Sequence, residues 1–177
     1  MKSIFAALCL FVMSQSFAQT EKGNFLAGGT AVFQTNANNT TIAFSPNVGY
    51  FVKNNFAVGA SSTMSYVREN YQKVTTFDIG PFARYYFGHS NFKPFALAQV
   101  GYLSYTVKDT QPPVSKSSID GFGFTIGAGG SAFISKDVAF ETIVGYNSQR
   151  YATADPVNNI TVSLGFQIFI KGYKKSS

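Results

Sequence analysis

From Asn159 to Lys171 the chain alternates strictly between apolar and polar positions. Ile160, Val162, Leu164, Phe166, Ile168 and Ile170 fall on one side; Thr161, Ser163, Gly165 and Gln167 fall on the other, with Phe169 the one apolar exception. A period of two marks a β-strand with one greasy and one polar face. At about 3.3 Å per residue and a tilt near 40°, such a run is long enough to cross a thin membrane. The same alternation predicts seven earlier strands, over Asn24–Gln34, Thr40–Val52, Phe56–Val67, Thr75–Phe87, Phe92–Val107, Ile119–Ile134 and Val138–Asn147. In the second, for example, Ile42, Phe44, Val48, Tyr50 and Val52 oppose Thr41, Ser45, Asn47 and Gly49. Glycines and alanines blur the first strand, and the fifth is ambiguous, so their phase stays open.

The connections fall into two kinds. Lys53-Asn54-Asn55, Gly88 to Asn91 and Ser135-Lys136-Asp137 are tight turns. Longer polar stretches run over Arg68–Val74, Lys108–Ser118 and Ser148–Asn158, while the first connection, Thr35–Asn39, is brief. Strands joined in this way predict an all-β, eight-stranded, antiparallel up-and-down transmembrane β-barrel with short turns at one rim and longer loops at the other. Closure of the first strand on the last removes edges that such apolar strands could not leave exposed. Pro81 and Pro94 are expected at bulges near a turn, because proline removes a ladder hydrogen bond. Nothing in the pattern accounts for Pro46.

Composition sharpens this picture. Of 177 residues, 12% are charged and 16% aromatic, with 19 Phe, 10 Tyr and no Trp. Soluble domains carry about 25% charged residues, so little polarity is left to coat an exterior. After the first residues no run approaches the ~18 apolar residues of a membrane helix. The beginning itself reads as a secretory signal peptide: Lys2, an apolar stretch from Ile4 to Met13, then Ser16-Phe17-Ala18 with small residues flanking the aromatic. Cleavage is expected after Ala18, leaving residues 19–177 as one barrel domain. Cys9 lies within the leader, so the mature chain holds no thiol. The formal net charge of +6 drops by one with Lys2, and the remaining cations are scattered except for Lys171, Lys174 and Lys175. Scattered charge and export both speak against nucleic acid as a partner.

Candidate chemistry is sparse. His89 is the only histidine and falls in a short turn, where one imidazole without cysteine makes no transition-metal site. The run Gly121-Phe122-Gly123-Phe124-Thr125-Ile126-Gly127 lies inside a strand with no helix after it, unlike a nucleotide-binding loop. Its glycines are expected to make room for bulky lumen neighbours. Asp78, Arg84 and Glu141 are charges on faces assigned to the lumen. Eight strands leave an interior that side chains just fill, so these three are expected to form a structural ion-pair cluster, with Arg84 and Glu141 at matching heights above the turns. Candidate surface-loop contacts are Lys108, Asp109, Lys116, Arg150, Tyr151 and Asp155. No catalytic, metal-binding or cofactor-binding residue is assigned, and no cofactor is expected. A secreted lipocalin-like barrel would show the same alternation with the apolar face inward. However, the polar faces here are Gly, Ser, Thr and Asn, a thin coat for a soluble exterior and a suitable filling for a narrow lumen.

Gly49-Tyr50-Phe51, Gly80-Pro81-Phe82-Ala83-Arg84-Tyr85-Tyr86-Phe87 and Lys93-Pro94-Phe95, with the leader and the alternating last strand, give the chain a family likeness. It resembles the small outer-membrane β-barrel domain family, the OmpA/OmpX-like eight-stranded barrels of Gram-negative bacteria. The resemblance covers the mature chain, apart from the basic tail after Phe169 where many members end on an aromatic residue. It implies residence in the cell outer membrane with periplasmic termini, outer-membrane lipid and the barrel-assembly machinery as partners, and a monomer. It also implies a non-enzymatic role in envelope integrity, adhesion or surface binding to an extracellular or envelope protein ligand. The competing expectation is a narrow, porin-like channel for small or apolar solutes.

Overall fold

The computed structural model describes residues 18–35, 39–69, 72–88, 90–109, 115–152 and 155–173. Residues 1–17, which hold most of the expected leader, and His89 lie outside the described residues. Eight strands follow a short 3-10 turn at Ala18–Thr20: β1 Phe25–Thr35, β2 Asn39–Lys53, β3 Phe56–Glu69, β4 Gln72–Tyr86, β5 Phe92–Asp109, β6 Lys116–Phe133, β7 Val138–Tyr151 and β8 Val157–Ile170. Each pairs antiparallel with its neighbours, and β1 closes on β8 from Phe25↔Ile170 to Thr30↔Gly165. The sheet is therefore a closed barrel, its β1–β8 seam paired over six residues at the turn-side end.

Its faces follow the alternation of the sequence. Ile160, Val162, Leu164, Phe166, Ile168 and Ile170 all point outward, Ile160 with 75% of its surface exposed. Ile42, Phe44, Val48, Met64, Ile79, Val100, Phe124, Ile126 and Val144 do the same on other strands. So much exposed apolar surface is untenable in water and suits lipid. Aromatic pairs mark both margins of this band: Phe25 with Tyr50 at 5.0 Å and Tyr85 with Phe87 at 4.9 Å near the turns, Tyr102 with Phe122 at 5.7 Å toward the loops. The two open phases are settled by pairing. In β1 Leu26 is buried and Phe25 exposed; in β5 Lys93, Phe95, Gly101 and Leu103 are buried and Phe92, Val100 and Tyr102 exposed.

Two expectations are corrected. Pro46 and Pro81 sit at gaps in one ladder and not at bulges, whereas Pro94 pairs with Gly130 of β6 and lies just past the end of the β4–β5 register. The β2–β3 register lacks partners for Ser45 and Pro46, and the β4–β5 register lacks them for Gly80 and Pro81, while pairing on either side keeps the same alignment. Proline has no N–H to give, so the ladder simply opens there. The β2–β3 register does shift once, between Phe51 and Lys53 beside the Asn54-Asn55 turn, where Asn55 takes a φ of 65° that asparagine tolerates.

The second correction concerns the polar stretches read as loops. Glu69 pairs with Gln72, so Arg68–Val74 is a tight hairpin. Pairing of β5 with β6 continues to Lys108↔Lys116, and β7 runs to Tyr151. Lys108, Asp109, Lys116, Arg150 and Tyr151 thus lie in strands; Asp155 alone of the six contact candidates lies in a connection. Beyond the bilayer both faces of a strand meet water, so its polar composition resembles a loop while Val, Thr and Tyr still favour the extended ladder. Strands of 18 residues in β5 and β6 exceed the 9–11 that a crossing needs. They project well past it.

Candidate functional site

Inward-facing side chains divide the lumen into two halves. Near the turns it is closely packed. Phe51, Tyr86, Phe95 and Phe169 form one aromatic layer, with Tyr86 5.8 Å from Phe51 and 5.2 Å from Phe95, and with Phe169 4.9 Å from Phe133. Leu26, Ala57, Phe82 and Ala139 complete that core. Glycines admit the rings: a Cβ on Gly59 would stand 2.8 Å from the tip of Phe82, and one on Gly129 would stand 2.5 Å from that of Phe95.

Inside this layer Arg84 from β4 meets Glu141 from β7. Arg84 Nη1 donates to Glu141 Oε2 at 2.9 Å, with side-chain exposures of only 5% and 3%. Ser131 from β6 donates to the other carboxylate oxygen at 2.6 Å. The guanidinium also lies 5.2 Å from the Phe82 ring centre and 5.0 Å from that of Phe95, a stabilising placement for a cation over aromatic faces. A desolvated charge without a partner would cost several kcal/mol; here both charges are paired and enclosed.

The chain's own N-terminal segment covers the turn-side mouth. Gln19 Nε2 donates to the Lys136 carbonyl at 3.0 Å, and the Thr20 hydroxyl donates to Asn55 Oδ1 at 2.6 Å. Buried Lys93 donates to the same Thr20 hydroxyl at 3.1 Å and lies 5.9 Å from the Phe133 ring centre. Asn24 accepts from the Gly172 N–H at 3.1 Å, tying the two ends of the barrel wall.

The loop-side half is polar. Asp78 accepts from Gln99 at 3.2 Å, Thr125 donates to Asn147 at 2.7 Å, and Asn147 donates to Thr161 at 3.0 Å. A cavity of about 20 Å³ lies among Asp78, Gln99, Leu103, Thr125, Asn147 and Gln149, space for about one water. Higher up, Tyr105 and Tyr151 face each other at 5.7 Å, and Tyr151 donates to Gln149 at 3.1 Å.

The three charges expected to cluster therefore separate. Arg84 and Glu141 meet, whereas Asp78 belongs to the other half. Asp78 and Arg84 are six residue steps apart on β4, about 20 Å along an extended strand, and same-face membership alone cannot bridge that distance. Sequence reasoning missed Phe51, Phe95, Lys93 and the Gln19-Thr20 cover. For Lys93 and Phe95 a signal existed, since they share the parity of Gln99 and Gly101 in one strand.

Of the candidate contacts, Lys108, Lys116 and Arg150 stand exposed on the outer wall, Arg150 beside Phe122. Asp109 accepts from Ser115 and, at 2.9 Å, from Gln72. These bonds, that of Ser115 first, hold its carboxyl below the usual aspartate range. Tyr151 turns inward, and Asp155 is exposed.

Comparison with known proteins places the chain in company. The family described as an outer membrane protein beta-barrel domain matches residues 4–167. Among solved structures, Neisserial surface protein A is similar over 83% of this chain and 97% of its own, with 17% identity and a TM-score of 0.65. The outer membrane protein OprG from Pseudomonas aeruginosa is similar over 89% of this chain and 100% of its own, at 14% identity and a TM-score of 0.57. The N-terminal β-barrel domain of Pseudomonas aeruginosa OprF is similar over 84% and 98%, at 14% identity and a TM-score of 0.54. Identities this low carry the fold alone. A search of curated proteins finds no significant match.

Proposed function

Because the chain belongs to the outer membrane protein beta-barrel domain family, and so resides in the outer membrane of a Gram-negative cell, we propose that it is a non-enzymatic barrel. In this reading it serves envelope integrity, adhesion or surface binding through its loop rim. The observation that supports this reading is the contrast between the two ends. The turn-side lumen is filled by an aromatic layer and a buried ion pair, while β5 and β6 carry polar strand far beyond the membrane. An extracellular or envelope protein ligand is the partner this projecting surface suits. Even strand number puts both termini at the short-turn rim, which outer-membrane barrels turn to the periplasm.

The test is to replace the 110–114 and 152–156 connections with short Asn-Gly turns. The refolded variant is expected to keep its heat-modifiable mobility and lose binding to whole cells and isolated envelopes. Unchanged binding would contradict the role of the rim.

A narrow channel is the second reading, favoured by the polar loop-side half with its cavity beside Asp78. The aromatic layer beneath that cavity opposes it.

Export through a cleaved leader belongs to the same proposal. N-terminal sequencing of protein from outer membranes is expected to begin at Gln19, whose side chain packs into the turn-side mouth. A mature form retaining Met1 would contradict it.

A further inference from the structure

We propose that Arg68, Lys73, Lys108 and Lys116 form a single phosphate-binding row on the outer wall, which holds anionic lipid headgroups against the barrel. The proposal rests on the outer-membrane placement above but not on any role of the connections. Its basis is register. Arg68 pairs with Lys73, Lys73 with Lys108, and Lys108 with Lys116. Four cations from β3, β4, β5 and β6 therefore stand side by side on one rung. With strands about 4.8 Å apart, the row is about 14 Å long.

All four belong to the outward face. They share the parity of Met64, Ile79, Tyr102 and Phe122, which are exposed to the lipid side. Arg68, Lys108 and Lys116 are themselves exposed, and Lys73 is half-buried. Like charges directly opposite one another destabilise a sheet, and here three such pairs occur in succession. Among the described side chains no carboxylate pairs with them. The one ion pair among the described residues is Arg84–Glu141 inside the barrel, and Asp109, one rung on, is engaged by Ser115 and Gln72. Asp120 is outward but stands two rungs below Lys116, about 13 Å along the strand. An external polyanion completes the electrostatics.

The rungs beneath identify its source. Descending toward the bilayer, the next outward rung is Tyr66–Thr75–Thr106–Ser118, with Thr106 and Ser118 hydrogen-bonded at 2.9 Å. Below it come Met64–Phe77–Ser104–Asp120, then Ile79–Tyr102–Phe122. Aromatic and aliphatic wall, hydroxyl rung and cation row follow the order of a lipid's acyl chain, ester region and phosphate. A soluble polyanion would have no use for the apolar wall continuous with the row. The cations are also confined to one side: β7 adds only Arg150, down at the level of Phe122.

The experiment uses the full mature chain, refolded into phosphatidylcholine nanodiscs with and without a minor fraction of bisphosphorylated lipid A. Lipid retained after mild detergent extraction is counted by native mass spectrometry. A cation at an anionic surface is worth about a fivefold gain in association, so the variant R68Q/K73Q/K108Q/K116Q is expected to lose on the order of 600-fold in lipid A affinity. High salt should weaken the native protein and leave the variant little changed. Lys22→Gln, outside the row, should behave as the native protein does. If the quadruple variant does not fold, K73Q/K108Q removes the centre of the row and should lose on the order of 10-fold. Equal retention by native and row variants would overturn the proposal. So would displacement of the lipid by inorganic pyrophosphate at matched concentration, which would point to a soluble phosphate ligand. Cell binding by the connection-trimmed variant, in which the row is intact, fails or succeeds separately.

Discussion

Leu164→Arg is expected to lower the folding free energy in lipid vesicles by about 2–4 kcal/mol, the cost of an arginine near the bilayer midplane. Leu164 lies midway along β8, outward and 52% exposed, between Val162 and Phe166 on the same face. Its pairing with Thr142 of β7 fixes that direction, because Thr142 shares the outward parity of Val144. Ser163→Asn, one position earlier, points into the polar lumen, where Asn147 already donates to Thr161, and should cost much less. Denaturant titrations of both variants in the same vesicles measure the difference. Equal penalties would mean that β8 faces the other way.

Loss of either partner of the inner ion pair is expected to be costlier still. Glu141→Gln or Arg84→Met alone should each destabilise by about 3–5 kcal/mol, because each leaves a buried charge uncompensated. For Glu141→Gln the stranded group is a guanidinium between Phe82 and Phe95; for Arg84→Met it is a carboxylate left with Ser131 as its hydrogen-bond donor. The double variant should be less destabilised than the sum of the singles, since paired charges can often be exchanged for apolar side chains at little cost. A double-mutant cycle reads that coupling directly. Additive losses would show that the two charges do not act on each other in the membrane-embedded protein.

The strands were legible because a membrane barrel writes its architecture at a period of two, and β8 states it almost without interruption. Arg84 and Glu141 could be paired in advance because each lies a few residues from a turn, so chain distance from the rim served as height. The same measure applied to Asp78 separates it from Arg84, but parity alone grouped all three. Phe51 shares the parity of Asn47 and Gly49 and so belongs to the lumen face, but with Tyr50, Phe51 and Val52 all apolar the pattern gives no sign that its ring joins a layer with Tyr86, Phe95 and Phe169. The extent of β5 and β6 was hidden for a different reason. Lys108, Asp109 and Lys116 look like loop, yet water on both faces permits polar residues in a ladder that backbone hydrogen bonds extend. Register, which decides whether four scattered cations become one row, is a property of neighbouring strands and has no local signature.

The most direct test of a closed lumen is solute flux. The refolded chain in liposomes, measured beside empty liposomes and the connection-trimmed variant, is expected to pass no sugar, because the aromatic layer of Phe51, Tyr86, Phe95 and Phe169 and the Arg84–Glu141 pair fill the turn-side half. Sugar flux above that of empty liposomes, persisting in the trimmed variant, would contradict a filled barrel and make the channel its function.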